Sequence, residues 1–562
     1  MSHEHSAEDV LKISRECGVP PVIATILMNR GIDEPEGFIN PKEDLLLDPF
    51  LMRGMEEATK RIIEAIENNE KIAIYGDYDV DGITSTAIMV KFLRSRRADV
   101  SYYIPDRLEE GYGINKGAID KIADSGVTLL ITVDCGITAV SEIEYAKEKG
   151  IDTIITDHHE CKDETPDAFC LLNPKQPDCP YPFKKLAGVG VAFKLLQALT
   201  SKMRFHMREL IEEYVDLVAI GTIADVMPLV GENRIIVKRG LELLKYTMNK
   251  GIKALADIAE IDLSNVQTGT IGYMIAPRIN AAGRMGDPRC AVELLLATDD
   301  LSAQRYAEQL DRENRERQET EIKIYEDALH MIESTPSYND DLVLVLSHEN
   351  WHHGIIGIVA SKLSERFNKP CILISTDDEM GKGSGRSIKP FNLFKALEQC
   401  QDSLLKFGGH ELAAGLSVYP DKVDEFREKI NAIAKDTLTE EDFTPLLYID
   451  SELPPQYINM NTAERLTVLE PYGMGNASPV FFAKNLTVTH IRPLSNGKHI
   501  KLTLRAGEFT VDAVGFNMGE LSETLNNNDI IDIAFNLDIN IYRGMRQLQV
   551  LIKDVKLNKI SD

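Results

Sequence analysis

The sequence predicts an α/β protein: a parallel-sheet domain, a smaller α/β domain reached through one long helix, and a small β-barrel towards the C-terminus. Three observations carry this. Apolar runs at 71–75, 129–133 and 151–156 alternate with helical stretches, the pattern of a parallel sheet. The charged segment Ala303 to Glu333 has few Gly or Pro and many opposite charges at i,i+3 and i,i+4. From about residue 446 short runs of β-forming residues follow one another at barrel spacing.

In chain order, residues 1–50 read as a helical segment with loops, and residues 51–240 hold the parallel sheet. Its first strand runs into Gly76-Asp77-Tyr78-Asp79-Val80-Asp81-Gly82 and the helix start Ile83-Thr84-Ser85-Thr86. The second ends in Asp134-Cys135-Gly136; a helix over 141–149 leads to the third, which ends in Asp157-His158-His159-Glu160. Ligands of such sheets collect beyond the carboxyl ends of the strands, so Asp79, Asp81, Asp134, His158 and His159 are expected at one edge. Asp225 closes the apolar stretch 218–224 and is a fourth contributor, since a buried acid needs a cation or hydrogen-bond partners. Residues 241–339 form a connecting region with the long helix, whose charges read as solvated. Residues 340–437 restart α/β alternation, with strands at 342–346 and 371–374 around a helix over 355–367. Residues 446–562 are β-rich, with Asn496-Gly497 as a hairpin signal.

Crowded carboxylates repel one another unless a cation neutralises them, and oxygen ligands suit hard divalent ions. The bland alternative for 76–82 is an acidic turn with an N-cap aspartate. Carboxylates with one or two imidazoles can hold two ions about 3.5–4 Å apart, with Asp134 as a plausible bridge. The chemistry indicated is metal-assisted hydrolysis of a phosphoester or phosphoanhydride. Eight cysteines contain no CxxC pair, and Cys161, Cys170 and Cys179 do not have zinc spacing. Trp351, the single tryptophan, fits a core or interface role at least as well as base stacking. A further metal site at His352 and His353 would have only Glu349 nearby in sequence.

Composition bounds the partners. A net charge of −27 excludes a globally basic nucleic-acid binder, but a local basic path suffices. Candidates are 91–97, 184–185 and 202–204, each of which also reads as a solvated helix face. No secretory signal and no apolar run of membrane-spanning length is visible, and the cysteine usage fits a reducing cytoplasm.

The strings 77–82, Val133-Asp134-Cys135-Gly136, Asp157-His158-His159 and Ala224-Asp225 resemble the ordered motifs of the DHH phosphoesterase superfamily. Others narrow the resemblance: Tyr103-Ile104-Pro105-Asp106-Arg107 with Gly111-Tyr112-Gly113, Leu186 to Ala192, Pro277 to Arg284, Trp351 to Gly357, Gly383-Ser384-Gly385-Arg386-Ser387 and Gly408 to Gly415. Together they are similar to the RecJ family of single-strand-specific 5′→3′ DNA exonucleases, from about residue 20 onward. The resemblance implies a DHH domain, a DHHA1-type domain and an OB-fold barrel. It implies two Mn²⁺ or Mg²⁺ ions on Asp79, Asp81, Asp134, His158 and Asp225, with Asp77 either a ligand or an orienting group. It implies catalytic roles for His159, Asp134 and Asp79. Arg107, Tyr112, Arg278, Asn280, Arg284, Ser384, Arg386 and His410 are implied in substrate binding. Arginine forks suit phosphate, and Gly383, Gly385, Gly408 and Gly409 would let backbone N–H groups approach an anion; surface ion pairs and a plain turn are the alternatives.

The implied activity releases 5′-mononucleotides from single-stranded DNA in repair and recombination, with a single-strand-binding protein and a RecQ-type helicase as family-level partners and no membrane. The competing readings are another DHH phosphodiesterase acting on short oligonucleotides or cyclic dinucleotides, and a non-catalytic scaffold of the same fold.

Overall fold

The computed structural model describes residues 5–107, 110–111, 113–377, 379–542 and 545–558. The first sheet has five parallel strands, β1 (Lys71–Gly76), β2 (Asp99–Tyr103), β3 (Leu129–Val133), β4 (Asp152–Thr156) and β5 (Cys170–Leu172), in the order β2-β1-β3-β4-β5. The chain order reverses at β1, and a crevice opens beyond the carboxyl ends where the connections diverge. Strands β1, β3 and β4 are neighbours, so their acidic ends fall side by side.

Helix α1 (Val80–Ser95) is buried on nearly every face between the sheet and α2 (Gly188–Lys202) and α3 (Met207–Ala224). Small residues permit this: a Cβ on Gly221 would lie 2.3 Å from Thr84 Oγ1 and 2.8 Å from Val189 Cγ1. The hydroxyls of Thr84 and Thr86 are satisfied by donating back to the carbonyls of Val80 (2.7 Å) and Gly82 (2.8 Å). The apolar stretch before Asp225 is the end of a helix, and the residues from 250 to 296 are largely helical. A run beginning at Thr268 passes through a π-turn over Ile271–Ile275 into α4 (Ala276–Met285).

Helix α5 (Asp300–Ser334) spans 35 residues, about 50 Å. Its charges are not all solvated: Asp311, Glu313, Arg317 and Glu321 are buried. Asp311 pairs with Arg278 (2.9 Å) and Arg315 (2.6 Å), and Glu321 pairs with Arg317 and Lys362. The helix is enclosed by both lobes, so Asp311, Arg317 and Glu321 are matched with ionic partners on the helix and on its neighbours instead of with water.

The second sheet contains β6 (Leu344–His348), β7 (Cys371–Thr376), β8 (Gly381–Arg386), β9 (Lys406–Gly409) and β10 (Ala413–Val418), ordered β6-β7-β8-β10-β9. Only β6 and β7 pair in parallel. Helix α6 (Ile356–Phe367) connects them. Trp351 lies in the core here, 3 % exposed, which removes it from base stacking.

The third sheet comprises β11 (Ser451–Glu452), β12 (Phe481–Leu494), β13 (His499–Ala506), β14 (Phe509–Gly515), β15 (Ile530–Tyr542) and β16 (Met545–Leu557). Pairing of β12 with β15 closes β12 to β16 into a barrel. The two runs around 481–491 are one strand with a bulge between Ala483 and Leu486. Between β11 and β12 the chain forms short helical turns, Pro455–Tyr457, Met460–Leu466 and Thr467–Leu469, not the β structure expected from 446.

The N-terminal segment has no core of its own. Ile23, Ile26, Leu27 and Phe38 pack with barrel residues Leu466, Phe481, Leu486 and Phe535. Its short helices bury too little apolar area to stand alone. Arg30 donates to both carboxylate oxygens of Asp450 (2.7 and 3.0 Å) and to Asn476 (2.7 Å). Arg234, 1 % exposed on the helix Gly231–Leu244, joins this body to the first domain. It donates to the carbonyls of Phe38 (2.7 Å), Glu470 (2.8 Å) and Leu469 (3.0 Å), and stacks on Phe38.

Candidate active site

The residues beyond β1, β3 and β4 converge. The ligand atoms of Asp77, Asp79 and Asp134 lie within 4.8 Å of one another, as do those of Asp81, His158 and Asp225, and those of Asp134, His158 and His159. Asp134 belongs to two of these groups. His158 Nε2 is 3.1 Å from Asp134, 3.5 Å from Asp225 and 3.8 Å from Asp81. Among the described residues, the clusters able to hold a metal are confined to this place, and His352, His353 and the cysteines form none.

Local structure explains each placement. Asp79 is the N-cap of α1, accepting from Gly82 N–H at 3.0 Å, so the capping alternative and an ion-facing role coexist in one side chain. Asp81 is held by the start of α2, its oxygens accepting from Gly188 N–H (2.6 Å) and Val189 N–H (2.7 Å). Asp134 turns off β3 with a left-handed φ of 60° and lies flat against Gly188, where any Cβ would be 2.5 Å from Asp134 Oδ1. Gly82 is equally constrained, since its Cβ would meet the Asp77 backbone at 2.5 Å. Asp225 caps the C-terminal end of α3, where the helix dipole disfavours an anion; an acid there raises the demand for positive charge.

The electrostatics say the same. Burial first, then the neighbouring carboxylates, push Asp77 and Asp134 well above the usual carboxylate range. The same causes raise Asp81 to about 7 and Asp225 to about 9. Burial drops His158 to about 3, which keeps its imidazole neutral and fit to ligate. Buried Asp77 Oδ1, Asp134 Oδ1, Asp225 Oδ2 and His158 Nδ1 have no hydrogen-bond partner, and the His158–Asp134 approach lacks hydrogen-bond alignment. Unpartnered oxygens and a neutral imidazole facing one small space fit divalent cations.

Asp157 is a residue of the site that motif reading did not single out. Fully buried, it accepts from the N–H groups of Ile137, His158 and His159, and from His159 Nδ1 at 2.7 Å. Burial opposes the charge on His159, but this carboxylate, with Asp225 and Asp81, outweighs it and raises the imidazole to about 9. The signal was its place directly before the histidine pair.

Across the crevice stand cations. The Arg107 guanidinium lies 5.1 Å from the Tyr78 ring centre. Arg284 donates to the Gly354 carbonyl (2.9 Å), and Arg386 to the Gly385 carbonyl (2.8 Å) and Ser384 Oγ (3.2 Å). Among the described residues none of these three arginines forms a salt bridge with a carboxylate. Burial, and then Arg107, lowers Arg386; burial, and then Arg107, Arg317 and Arg386, brings Arg284 down to about 10. Gly357 at the start of α6 lets Ser384 and Arg386 close in, since its Cβ would be 2.8 Å from Ser384 Oγ. Such half-buried cations without a carboxylate partner suit an anionic ligand.

Other sequence candidates are placed differently. Arg278 is engaged by Asp311 (2.9 Å) and the Met274 carbonyl (2.7 Å). Asn280 Oδ1 accepts from Val80 N–H (3.2 Å) and so steadies the first motif. Gly383 and Gly385 lie inside β8 with sheet partners on both sides, and their missing side chains make room for Leu416 and Leu393 at 2.7 Å; packing, not anion approach, requires them. His410 is exposed in the turn between β9 and β10, its N–H donating to the Ala413 carbonyl. Tyr112 lies outside the described residues. Lys184 is spent on the carbonyls of Pro174 and Cys179, and Lys202 pairs with Glu56.

The DHH family, N-terminal domain, matches residues 71–222, the DHHA1 domain 340–436 and the RecJ OB domain 449–554. The single-stranded-DNA-specific exonuclease RecJ of Bacillus subtilis is 42% identical over 558 residues, covering 98% of this chain and 70% of its own. That of Escherichia coli is 34% identical over 561 residues, covering 96% of each. The crystal structure of RecJ in complex with Mn²⁺ from Thermus thermophilus superimposes with a TM-score of 0.86 at 30% identity, covering 98% of this chain and 78% of that one. The chain belongs to the RecJ family of the DHH phosphoesterases.

Proposed function

We propose that this protein is a single-strand-specific 5′→3′ DNA exonuclease that releases 5′-mononucleotides with two Mn²⁺ or Mg²⁺ ions. The observation that carries this is a buried group of unneutralised carboxylates and imidazoles facing unpaired arginines across one crevice. Asp77, Asp79 and Asp134 would hold one ion and Asp81, His158 and Asp225 the other, with Asp134 at their junction. Bound there, the ions supply an activated water and stabilise the entering and leaving oxygens at phosphorus. Asp157 fixes the His159 ring and keeps it charged, so that it donates a hydrogen bond to the scissile phosphate. Asn280 holds the α1 N-terminus and with it the register of Asp79 and Asp81. Arg107, Arg386 and Ser384 receive the terminal 5′ phosphate, with Arg284 and His410 beside the path; a substrate role for Tyr112 rests on the family resemblance alone, and Arg278 acts through α5. The complete carboxylate set favours an enzyme over a scaffold, and the barrel favours long strands over dinucleotides.

The reading extends to a reducing cytoplasm, which suits the eight unpaired cysteines, and to a single-strand-binding protein and a RecQ-type helicase as partners, on family resemblance alone. No helix among the described residues is long and apolar enough to cross a membrane.

The test is digestion of long single-stranded DNA, dinucleotides and cyclic dinucleotides with Mn²⁺. Rapid mononucleotide release from the 5′ end of the long strand is expected; turnover of the short substrates alone would refute the reading. Arg386→Ala should cut the preference for a 5′-phosphorylated over a 5′-hydroxyl end by about ten-fold; an unchanged ratio would remove that role. Gly188→Ala should cost on the order of a hundred-fold in kcat/KM, because the added methyl displaces Asp134; near-wild-type kinetics in a folded variant would show that the contact is slack.

A further inference from the structure

On the helical run that leads into α4, Tyr273, Pro277, Asn280 and Arg284 stand at i, i+4, i+7 and i+11, a spacing that sets them along one side. Two members touch site elements: Asn280 bonds the first motif and Arg284 bonds Gly354 beside the arginines. The opposite face, Ile275, Ala276, Ile279 and Ala282, is in the core. Arg278 turns to α5, donating to Asp311 and to the Met274 carbonyl one turn back. Tyr273 ends the stripe, about 10 Å along the helix from Asn280. It is 86 % exposed, among the most exposed large side chains described, and it stands on the π-turn Ile271–Ile275. Such turns re-aim side chains and recur at functional sites. Gly269 and Gly272 flank it with no bulk of their own, and only the edge of its ring comes near Gly269. Just upstream, Thr268 Oγ1 donates to the Tyr472 carbonyl at 2.6 Å, tying this run to the segment that enters the barrel. The stripe therefore runs from the cations past the carboxylates towards the barrel, and an aromatic face stands clear of the core on the stretch between.

We propose that Tyr273 is a base-stacking residue for the single strand on the 3′ side of the scissile bond, where the strand passes from the carboxylate cluster to the barrel. This rests on the exonuclease reading and names a contact within it. An exposed tyrosine ring offers a π-face to any base, so the contact adds affinity without sequence preference. It holds the strand between successive cuts.

The test uses the full chain with Ca²⁺ in place of Mn²⁺ for binding and Mn²⁺ for kinetics. 2-Aminopurine is placed at successive positions from the 5′ end of a long single strand. Quenching at one internal position is expected for wild type, lost in Tyr273→Ala and kept in Tyr273→Phe and Tyr273→Trp. In steady state, Tyr273→Ala should raise KM for the long strand about ten-fold with a much smaller change in kcat, and raise KM for a dinucleotide less, since a dinucleotide ends before the ring. An active wild type with Tyr273→Ala unchanged in quenching and KM overturns the inference alone. Tyr273→Phe as weak as Tyr273→Ala overturns stacking as its basis. A wild type inert towards single-stranded DNA overturns the exonuclease reading and this contact with it.

Discussion

Asp134→Asn is expected to abolish hydrolysis and metal binding while raising the melting temperature of the metal-free protein. Asp134 is common to two ligand groups and crowds Asp81, Asp79, Asp225 and Asp77. Outer partners of metal ligands already cost about 10–100-fold when removed, and a shared ligand should cost more. The asparagine keeps the shape but removes a buried charge that its neighbours oppose, so the metal-free fold gains. Thermal unfolding with and without Mn²⁺ reads both effects: the wild type should gain stability with Mn²⁺ by linkage and the variant should not. A Mn²⁺-induced rise in the variant equal to that of wild type would show that Asp134 is not a ligand.

The same crowding fixes a pH dependence. Asp81 at about 7 and Asp225 at about 9 stand above their ordinary value of 3.8, and His159 at about 9 stands above 6.5. Each takes up protons on folding, so the metal-free protein should lose stability as pH rises, from about 4 to 7 through Asp81, from about 4 to 9 through Asp225 and from about 6.5 to 9 through His159. His158, held near 3, works the other way, but only below its ordinary 6.5. Saturating Mn²⁺ should flatten or reverse the slope, since bound cations favour the ionised carboxylates.

Arg234→Met should destabilise the union of barrel, N-terminal segment and first domain by about 3–5 kcal/mol. The arginine donates to three carbonyls at 3.0 Å or less from an almost fully buried position. Methionine fills the volume but leaves those oxygens without donors, each costing about 1–2 kcal/mol. Arg234→Lys should recover part of this, since one ammonium cannot match the spread of the planar fork. Native-state hydrogen exchange is the suitable readout, because the loss should concentrate at 23–39 and 466–476. Protection there as strong as in the wild type would contradict the assignment.

Much of the metal cluster was legible because its residues lie directly after apolar runs, where a parallel sheet presents them together. The cation side was legible through motif resemblance, but individual roles were not. Arg278 and Asn280 turned out to be occupied inside the protein, with partners at Asp311 and Val80 that are remote in sequence. Asp157 was hidden because an aspartate before two histidines reads as part of the pair. The almost wholly apolar stretch before Asp225 left its element open in the sequence, because a buried helix and a buried strand then look alike. The buried charges of α5 were misjudged because a dense i,i+4 pattern describes a solvated helix equally well; only the enclosing lobes distinguish the two.

The shared core of the N-terminal helices and the barrel sets an order of events during synthesis. Ile23, Ile26 and Leu27 leave the ribosome hundreds of residues before Phe481 and Phe535, their packing partners. Through most of translation this apolar segment has no docking place, while the metal-binding domain can already fold behind it. The nascent chain thus carries an uncovered greasy arm until the barrel strands emerge, the interval in which chaperones have something to hold.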